Sequence, residues 1–139
     1  MTGEIKPHYE VVVVGAGVSG IYQIKRLADL GVDALVLDAA PDLGGTWYWN
    51  RYPGARFDSE SYTYGYSFSK ELLNEWHWKE RFSAQPENLR YLNYVTDKFG
   101  LRKYMRFNRK VAAAAFDEAS QLWRLKLDDG RELSCRFLI

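Results

Sequence analysis

Residues 9–38 read YEVVVVGAGVSGIYQIKRLADLGVDALVLD. The run Tyr9–Val14 ends in four consecutive β-branched valines, the pattern of a strand buried on both faces. Gly15 breaks it. From Ser19 onward, Ile21, Ile24, Leu27 and Ala28 recur at helical spacing as far as Leu30, and Gly31 suits the position just past a helix end. Ala34–Leu37 is a second short apolar strand, closed by Asp38. Strand, glycine turn, helix and strand in this order make a βαβ unit with a right-handed crossover.

The turn itself, Gly15-Ala16-Gly17-Val18-Ser19-Gly20, fits G-x-G-x-x-G. The pattern alone is weak, since glycines are common at turns. It gains meaning because it follows a buried strand and opens a helix. Gly15 permits the tight turn, Gly17 lets backbone approach a pyrophosphate, and Gly20 lets the helix lie close to the strand. Amides of the first helical turn then face the phosphates, and the helix dipole favours their charge. Ser19 adds a hydroxyl donor. Asp38 stands at the end of the second strand, where a carboxylate accepts hydrogen bonds from ribose hydroxyls and repels a 2′-phosphate. The alternative is a plain strand–turn–helix with a surface aspartate. The glycines, strand, helix and acid in register favour a dinucleotide.

Working outward, residues 40–68 carry Gly, Pro and aromatics without a clean period, which predicts a long structured loop. Gly44-Gly45-Thr46-Trp47 lies just beyond the second strand. A glycine pair there lets backbone pass close to a cofactor, and the neighbouring aromatics wall a ring system; this favours FAD over NAD at the site. A glycine-rich surface turn would look similar. Ser69 is placed to cap a short helix over Glu71–Trp76. A longer helix is predicted from Pro86 to Phe99, with Leu89, Leu92, Val95 and Phe99 on one face and Gly100 behind it. The remainder reads as β. Val111–Phe116 is one strand, and Leu122–Leu127 and Glu132–Ile139 flank the turn Asp129-Gly130. Phe137-Leu138-Ile139 drops the apolar–polar alternation, as does a strand entering a buried sheet. An apolar strand end is a poor terminus, so the chain reads as the beginning of a longer protein.

The fold class expected is therefore α/β: a Rossmann-type FAD-binding βαβ unit with a β-hairpin or meander near the C-terminus, forming an incomplete three-layer domain over residues 1–139. The chain has 139 residues, enough for one domain. Its formal net charge of +1 gives no field for nucleic acid or an anionic membrane. No apolar run is long enough to span a bilayer. The polar start, Met1–Glu10, is unlike a signal peptide, and a cytoplasmic protein is expected. One cysteine, Cys135, rules out an internal disulfide or a cysteine zinc cluster, and two distant histidines give no metal-ligand spacing. Aromatics make up 16% of the chain, many of them between Trp47 and Trp78. That suggests a flat or apolar ligand, although a Trp- and Tyr-rich core gives the same composition; Trp76 and Trp78 are expected in the core.

Residues Gly44-Gly45-Thr46-Trp47-Tyr48-Trp49-Asn50-Arg51-Tyr52-Pro53-Gly54-Ala55-Arg56-Phe57-Asp58 resemble a segment near the N-terminus of Baeyer–Villiger monooxygenases. The shared pattern is a Gly-Gly pair, Trp, an aromatic-Pro-Gly step, and Asp four residues on. The resemblance runs from the glycine fingerprint through Tyr64-Gly65-Tyr66-Ser67-Phe68 and Gln85-Pro86 to the closing hairpin. It is similar to the cyclohexanone and phenylacetone types. These flavoproteins use NADPH and O₂ to turn ketones into esters or lactones through a flavin C4a-peroxide. The resemblance implies that Gly15, Gly17, Ser19 and Gly20 hold the FAD pyrophosphate and Asp38 the adenosine ribose. It implies that Gly45, Thr46, Trp47 and Trp49 line the middle of the cofactor, with Tyr64 also touching FAD. Val111 meets the adenine end through its backbone, and Arg56 lies near the nicotinamide side. Asp58 lies near the flavin and orients an arginine that stabilises the peroxide anion, so it takes the catalytic role. Without the resemblance, Asp58 reads as a loop carboxylate capping the Ser59–Ser61 amides.

The chain departs from the family in what it lacks. The signature F-x-G-x-x-x-H-x-x-x-W, a second glycine fingerprint for NADPH and the arginine partner of Asp58 are all absent. The expected full protein binds FAD and NADPH and acts on O₂ and a ketone, with the NADPH site mostly outside this chain. Two other readings stay open: a flavin monooxygenase oxidising nitrogen or sulfur, and a dinucleotide-binding module without catalysis.

Overall fold

The computed structural model describes residues 4–139. The first strand, β1 (His8–Val14), leads through the glycine turn into α1 (Val18–Asp29), and β2 (Ala34–Leu37) follows. β2 lies parallel to β1, with Val11 opposite Ala34 and Val14 opposite Leu37. Both strands are buried on two faces. Val11, Val13, Ala34 and Val36 join one core, while Val12, Leu35 and Leu37 join the other. That division is why both segments are apolar without alternation.

The loop expected over 40–68 contains two single-turn helices, α2 (Thr46–Trp49) and α3 (Ser61–Tyr64). A single turn leaves no periodic trace in the sequence. α4 (Lys70–Glu75) follows, its N-cap Ser69 accepting from the Leu72 N–H at 3.2 Å. α5 (Gln85–Lys98) starts with Pro86 in its first turn and ends before Gly100, which sits in the left-handed region at φ +62°.

Two further elements escape the sequence reading: a 3₁₀ turn over Leu101–Tyr104 and the short strand β3 (Met105–Arg106). β3 pairs parallel with β2, Val36 opposite Met105. β4 (Val111–Asp117), β5 (Leu122–Leu127) and β6 (Glu132–Leu138) form an antiparallel meander. β6 then joins β1 in parallel, Val12 opposite Leu138. The result is one six-stranded mixed sheet in the order β3-β2-β1-β6-β5-β4.

On one face α1, α5 and the aromatic segment cover the sheet; Ile21, Ile24, Leu92 and Val95 are fully buried there. On the other, Leu125, Leu127, Leu133 and Cys135 pack with Val12 and Leu37. The closing Phe137-Leu138-Ile139 does enter the central sheet, but its side chains are not buried as expected. Phe137 and Ile139 are 53% and 50% exposed. Pairing in a sheet fixes the backbone, and burial needs a layer above it. No helix among the described residues is long and apolar enough to cross a membrane.

Candidate functional site

The C-terminal ends of β1 and β2 open beside the N-terminus of α1. Gly15 makes the turn at φ +106°, its N–H donating to the Leu37 carbonyl at 2.8 Å. Gly17 is the N-cap of α1 and offers no side-chain cap, and no acidic residue occupies the first turn. Ile21 N–H reaches back to the Gly17 carbonyl at 3.0 Å. The amides ahead of it have no intrahelical acceptor, so several donors and the positive end of the helix face the same space. Gly20 lies so close to the preceding strand that an added Cβ would stand 1.8 Å from the Gly15 carbonyl oxygen.

The opposite wall is the Gly44-Gly45 step. Gly44 N–H donates to the Ala16 carbonyl at 2.9 Å, which brings Gly45 against Gly17. A Cβ on Gly45 would meet the Gly17 Cα at 2.8 Å. Between these walls lies a cleft of about 360 Å³. Gly15, Gly17, Ser19, Gly20, Gly45, Thr46 and Tyr64 line it, seven of the residues singled out in the sequence, together with Val14 and Val18. Val14 is half exposed at the strand end, an unusual place for valine and a signal that the sequence reading passed over.

The remaining candidates lie around the cleft. The Asp38 carboxylate is buried and turned into the glycine loop, accepting from the Ala16 N–H at 2.6 Å and the Ala40 N–H at 2.8 Å. The side chain of Trp47 is 5% exposed and belongs to the core, packed edge-on against Phe57 and Tyr64. Its indole N–H donates to the Tyr64 hydroxyl at 2.8 Å, so it braces a cleft residue from behind. The ring of Trp49 is 63% exposed and rests edge-on against Tyr48, outside the cleft lining. Arg56 is engaged with Glu80 at 3.0 Å and the Phe82 carbonyl at 2.9 Å. Val111 opens β4, two residues beyond Arg109, whose N–H donates to the Asp38 carbonyl at 2.9 Å.

Asp58 is exposed, and among the described residues it makes no hydrogen bond or ion pair. The cap on the Ser59–Ser61 amides does not form: Ser61 N–H donates to the Arg81 carbonyl at 2.7 Å instead. Asp58 follows Phe57, whose ring stacks on Tyr64 at 4.3 Å. The loop carrying it is stitched to the segment before α5 by Phe57 N–H to Ser83 O at 3.3 Å and Gln85 N–H to Ala55 O at 2.8 Å. The Gln85 side-chain amide donates to the Trp47 carbonyl. Gln85 thus joins both loops, and its only sequence signal is its place before Pro86.

Tyr66 adds a further brace. Its hydroxyl donates to the Val18 carbonyl in the first turn of α1, and its N–H donates to the Tyr91 hydroxyl at 2.8 Å. Burial pushes both phenols up, Tyr91 to about 12 and Tyr66 further.

The profile of the NAD(P)-binding Rossmann-like domain family matches residues 13–76, the span containing the glycine loop, Asp38 and Asp58. A 2-oxo-Delta(3)-4,5,5-trimethylcyclopentenylacetyl-CoA monooxygenase from Pseudomonas putida is 50% identical over 96% of this chain and 24% of its own length. The chain is homologous to the Baeyer–Villiger and related flavin monooxygenases. Another relative of the chain is a phenazine N-monooxygenase from Lysobacter antibioticus, 42% identical over 96% of the chain and 25% of the relative. Among solved structures, OTEMO in complex with FAD and NADP superposes with a TM-score of 0.89 at 48% identity, covering 96% of this chain and 25% of the OTEMO chain. The chain therefore spans about a quarter of the length of these proteins that it matches.

Proposed function

We propose that this chain is the FAD-binding part of a flavin monooxygenase and holds the diphosphate of FAD in the cleft between Gly17 and Gly45. One observation carries the reading. Two glycine backbones meet where a Cβ would stand 2.8 Å from Cα, at the uncapped N-terminus of a twelve-residue helix. That leaves bare amides and a favourable dipole facing one slot, and an anion with no side-chain competitor fits it. A cleft of about 360 Å³ takes a diphosphate and adjoining sugar, with the ring systems beyond its ends. The likeness to a structure solved with FAD and NADP supports the same assignment.

In this reading Gly15 sets the turn, and Gly17, Ser19 and Gly20 present the amides and hydroxyl that bind the phosphates. Gly45 and Thr46 close the opposite side. Tyr64 bounds the slot, with Trp47 holding its hydroxyl from within. Val111 lies towards the adenine end, and Trp49, Arg56 and Asp58 towards the flavin end. Asp58 has no partner among the described residues, and the resemblance implies that it orients an arginine outside this chain. FAD, when bound, supplies the electron transfer and oxygen activation.

For the whole protein we infer oxidation of a ketone to an ester or lactone with NADPH and O₂. The 2-oxo group in the name of the Pseudomonas putida relative supports it. The second reading is nitrogen oxidation, which the phenazine N-monooxygenase relative favours. Titration of the full chain with FAD, FMN and ADP tests the cleft: FAD binds, ADP competes and FMN does not. FMN binding as well as FAD, without competition by ADP, sinks the assignment. Assay of the whole protein with cyclic ketones and with N-heteroaromatics, read as lactone against N-oxide, separates the two reactions.

A further inference from the structure

We propose that the aromatic layer beside the cleft is a one-electron conduit, in which Trp78 and Trp76 connect Tyr64 at the cleft with Tyr94 at the protein surface. Indole and phenol are among the side chains most readily oxidised by one electron, and an electron crosses packed rings far faster than an open gap. Tyr64 lines the cleft and accepts from the Trp47 indole N–H at 2.8 Å. Its ring stacks on Phe57 at 4.3 Å between centroids, and Phe57 meets Trp78 at 5.9 Å. Trp78 also lies against the backbone next to Tyr64, where a Cβ on Gly65 would stand 3.5 Å from the indole. Trp78 leads to Trp76 at 5.8 Å, and Trp76 to Tyr94 at 5.4 Å.

The outer end has what a conduit needs and a core does not. An oxidised phenol is a strong acid and sheds its proton. The Tyr94 hydroxyl donates to the carboxylate of Glu75, a surface residue that also pairs with Lys98 at 2.8 Å. The side branch has no such acceptor: Trp78 touches Tyr91 at 4.8 Å, but Tyr91 is 3% exposed and its hydroxyl meets the Tyr66 N–H. Trp76 is a step and not an end. Its indole N–H is buried without a partner among the described residues, a cost that phenylalanine would avoid. Lacking an acceptor, an oxidised Trp76 keeps its proton and its positive charge. The Arg90 guanidinium, 5.5 Å from the ring centre, opposes that charge, so the hole moves on to Tyr94.

The cleft end of this inference rests on the FAD reading, and the row of rings does not. An oxygen-centred radical at the cleft takes up one electron and one solvent proton, and its O–H bond forms. The electron leaves Tyr64 or Trp47 and is replaced along the row from Tyr94, whose proton passes to Glu75. A thiol in solution reduces the Tyr94 phenoxyl, giving up an electron and a proton and becoming a thiyl. Oxidative damage is thereby moved from the cleft to the surface.

Pulse radiolysis with azide radicals tests the row in the ligand-free full chain. Trp49→Phe and Trp123→Phe are introduced first, which leaves Trp47, Trp76 and Trp78 as the only indoles. The indolyl absorption is expected to give way to phenoxyl absorption at a rate independent of protein concentration, and this phase is lost in Tyr94→Phe and in Trp76→Phe. Glu75→Gln keeps every ring and is expected to lose the phase as well, which packing alone does not predict; it also decides should a ring variant not fold. An unchanged phase in Tyr94→Phe or Glu75→Gln overturns the conduit. The FAD-loaded chain is then irradiated with blue light beside a nitroso spin trap, and the adduct is located by peptide mass spectrometry. It is expected on Tyr94, and on Trp76 or Trp78 in Tyr94→Phe. Adducts confined to Tyr64 and Trp47 in both proteins overturn the link to the cleft. The radiolysis phase in a chain that takes no FAD upholds the conduit and overturns the FAD reading alone.

Discussion

A methyl group added at Gly45 has nowhere to go. It would stand 2.8 Å from the Gly17 Cα, and Gly45 already lies at φ +53°, where side chains are strained. Backbone cannot swing aside as a long side chain does, so Gly45→Ala is expected to part the two walls of the cleft. The cost in stability is about 1–3 kcal/mol, and FAD affinity falls at least about tenfold. Urea unfolding and flavin titration of the same preparation read both. Asp58→Asn predicts the opposite split. The carboxylate is exposed and holds no partner among the described residues, so stability stays within about 0.5 kcal/mol. In the whole protein turnover falls at least about tenfold while FAD content is kept, because only the orientation of a distant cation is lost. A melt together with steady-state turnover at saturating substrate checks it; a destabilised variant would show that Asp58 braces its own loop.

At the scale of elements, the short pieces α2 and α3 carry part of the site and are held by contacts to their neighbours. α4 has six residues and one side-chain cap, Ser69. Ser69→Ala leaves the Leu72 N–H without its acceptor and is expected to cost about 1 kcal/mol, visible as a lower urea midpoint with unchanged slope. The same shortness explains what could be read in advance. β1, α1, β2, α5 and the meander were legible because each repeats its pattern over several residues. α2, α3 and β3 were not, since a single turn or a residue pair leaves no period to detect. The glycine loop and its facing Gly44-Gly45 step were legible because a bare backbone approach demands glycine. The inward turn of Trp47 was not, because an indole ring serves equally as a cofactor wall or as core, and only its distance to Phe57 and Tyr64 decides. Nor could spacing alone show that the Asp38 oxygens face amides of the loop itself.

At the scale of the whole molecule, the two ends of the pH range act on different parts of the fold. On the acid side Arg124 and Ser120 hold Asp117 down at about 2, on the exposed rim of the meander. That contribution is present above the ordinary aspartate range and is lost as pH falls towards 2; as a surface pair it weakens with salt. On the alkaline side, burial raises Tyr91 from 10.0 to about 12 and Tyr66 further still. Both phenols are neutral in the folded chain at a pH where they ionise once unfolded. Their contribution is complete below pH 10 and is lost as pH rises towards 12. These rings link α5 to the first turn of α1 through Tyr91, Tyr66 and the Val18 carbonyl, so alkaline loosening is expected to begin at the cleft. Thermal melts between pH 9 and 12 should therefore show a falling midpoint that added salt does not restore, with bound FAD released before the global transition. Tyr66→Phe, which removes the hydroxyl bond to Val18, should lower the midpoint at neutral pH and flatten its alkaline slope. An unchanged slope in that variant would place the alkaline transition outside the aromatic layer.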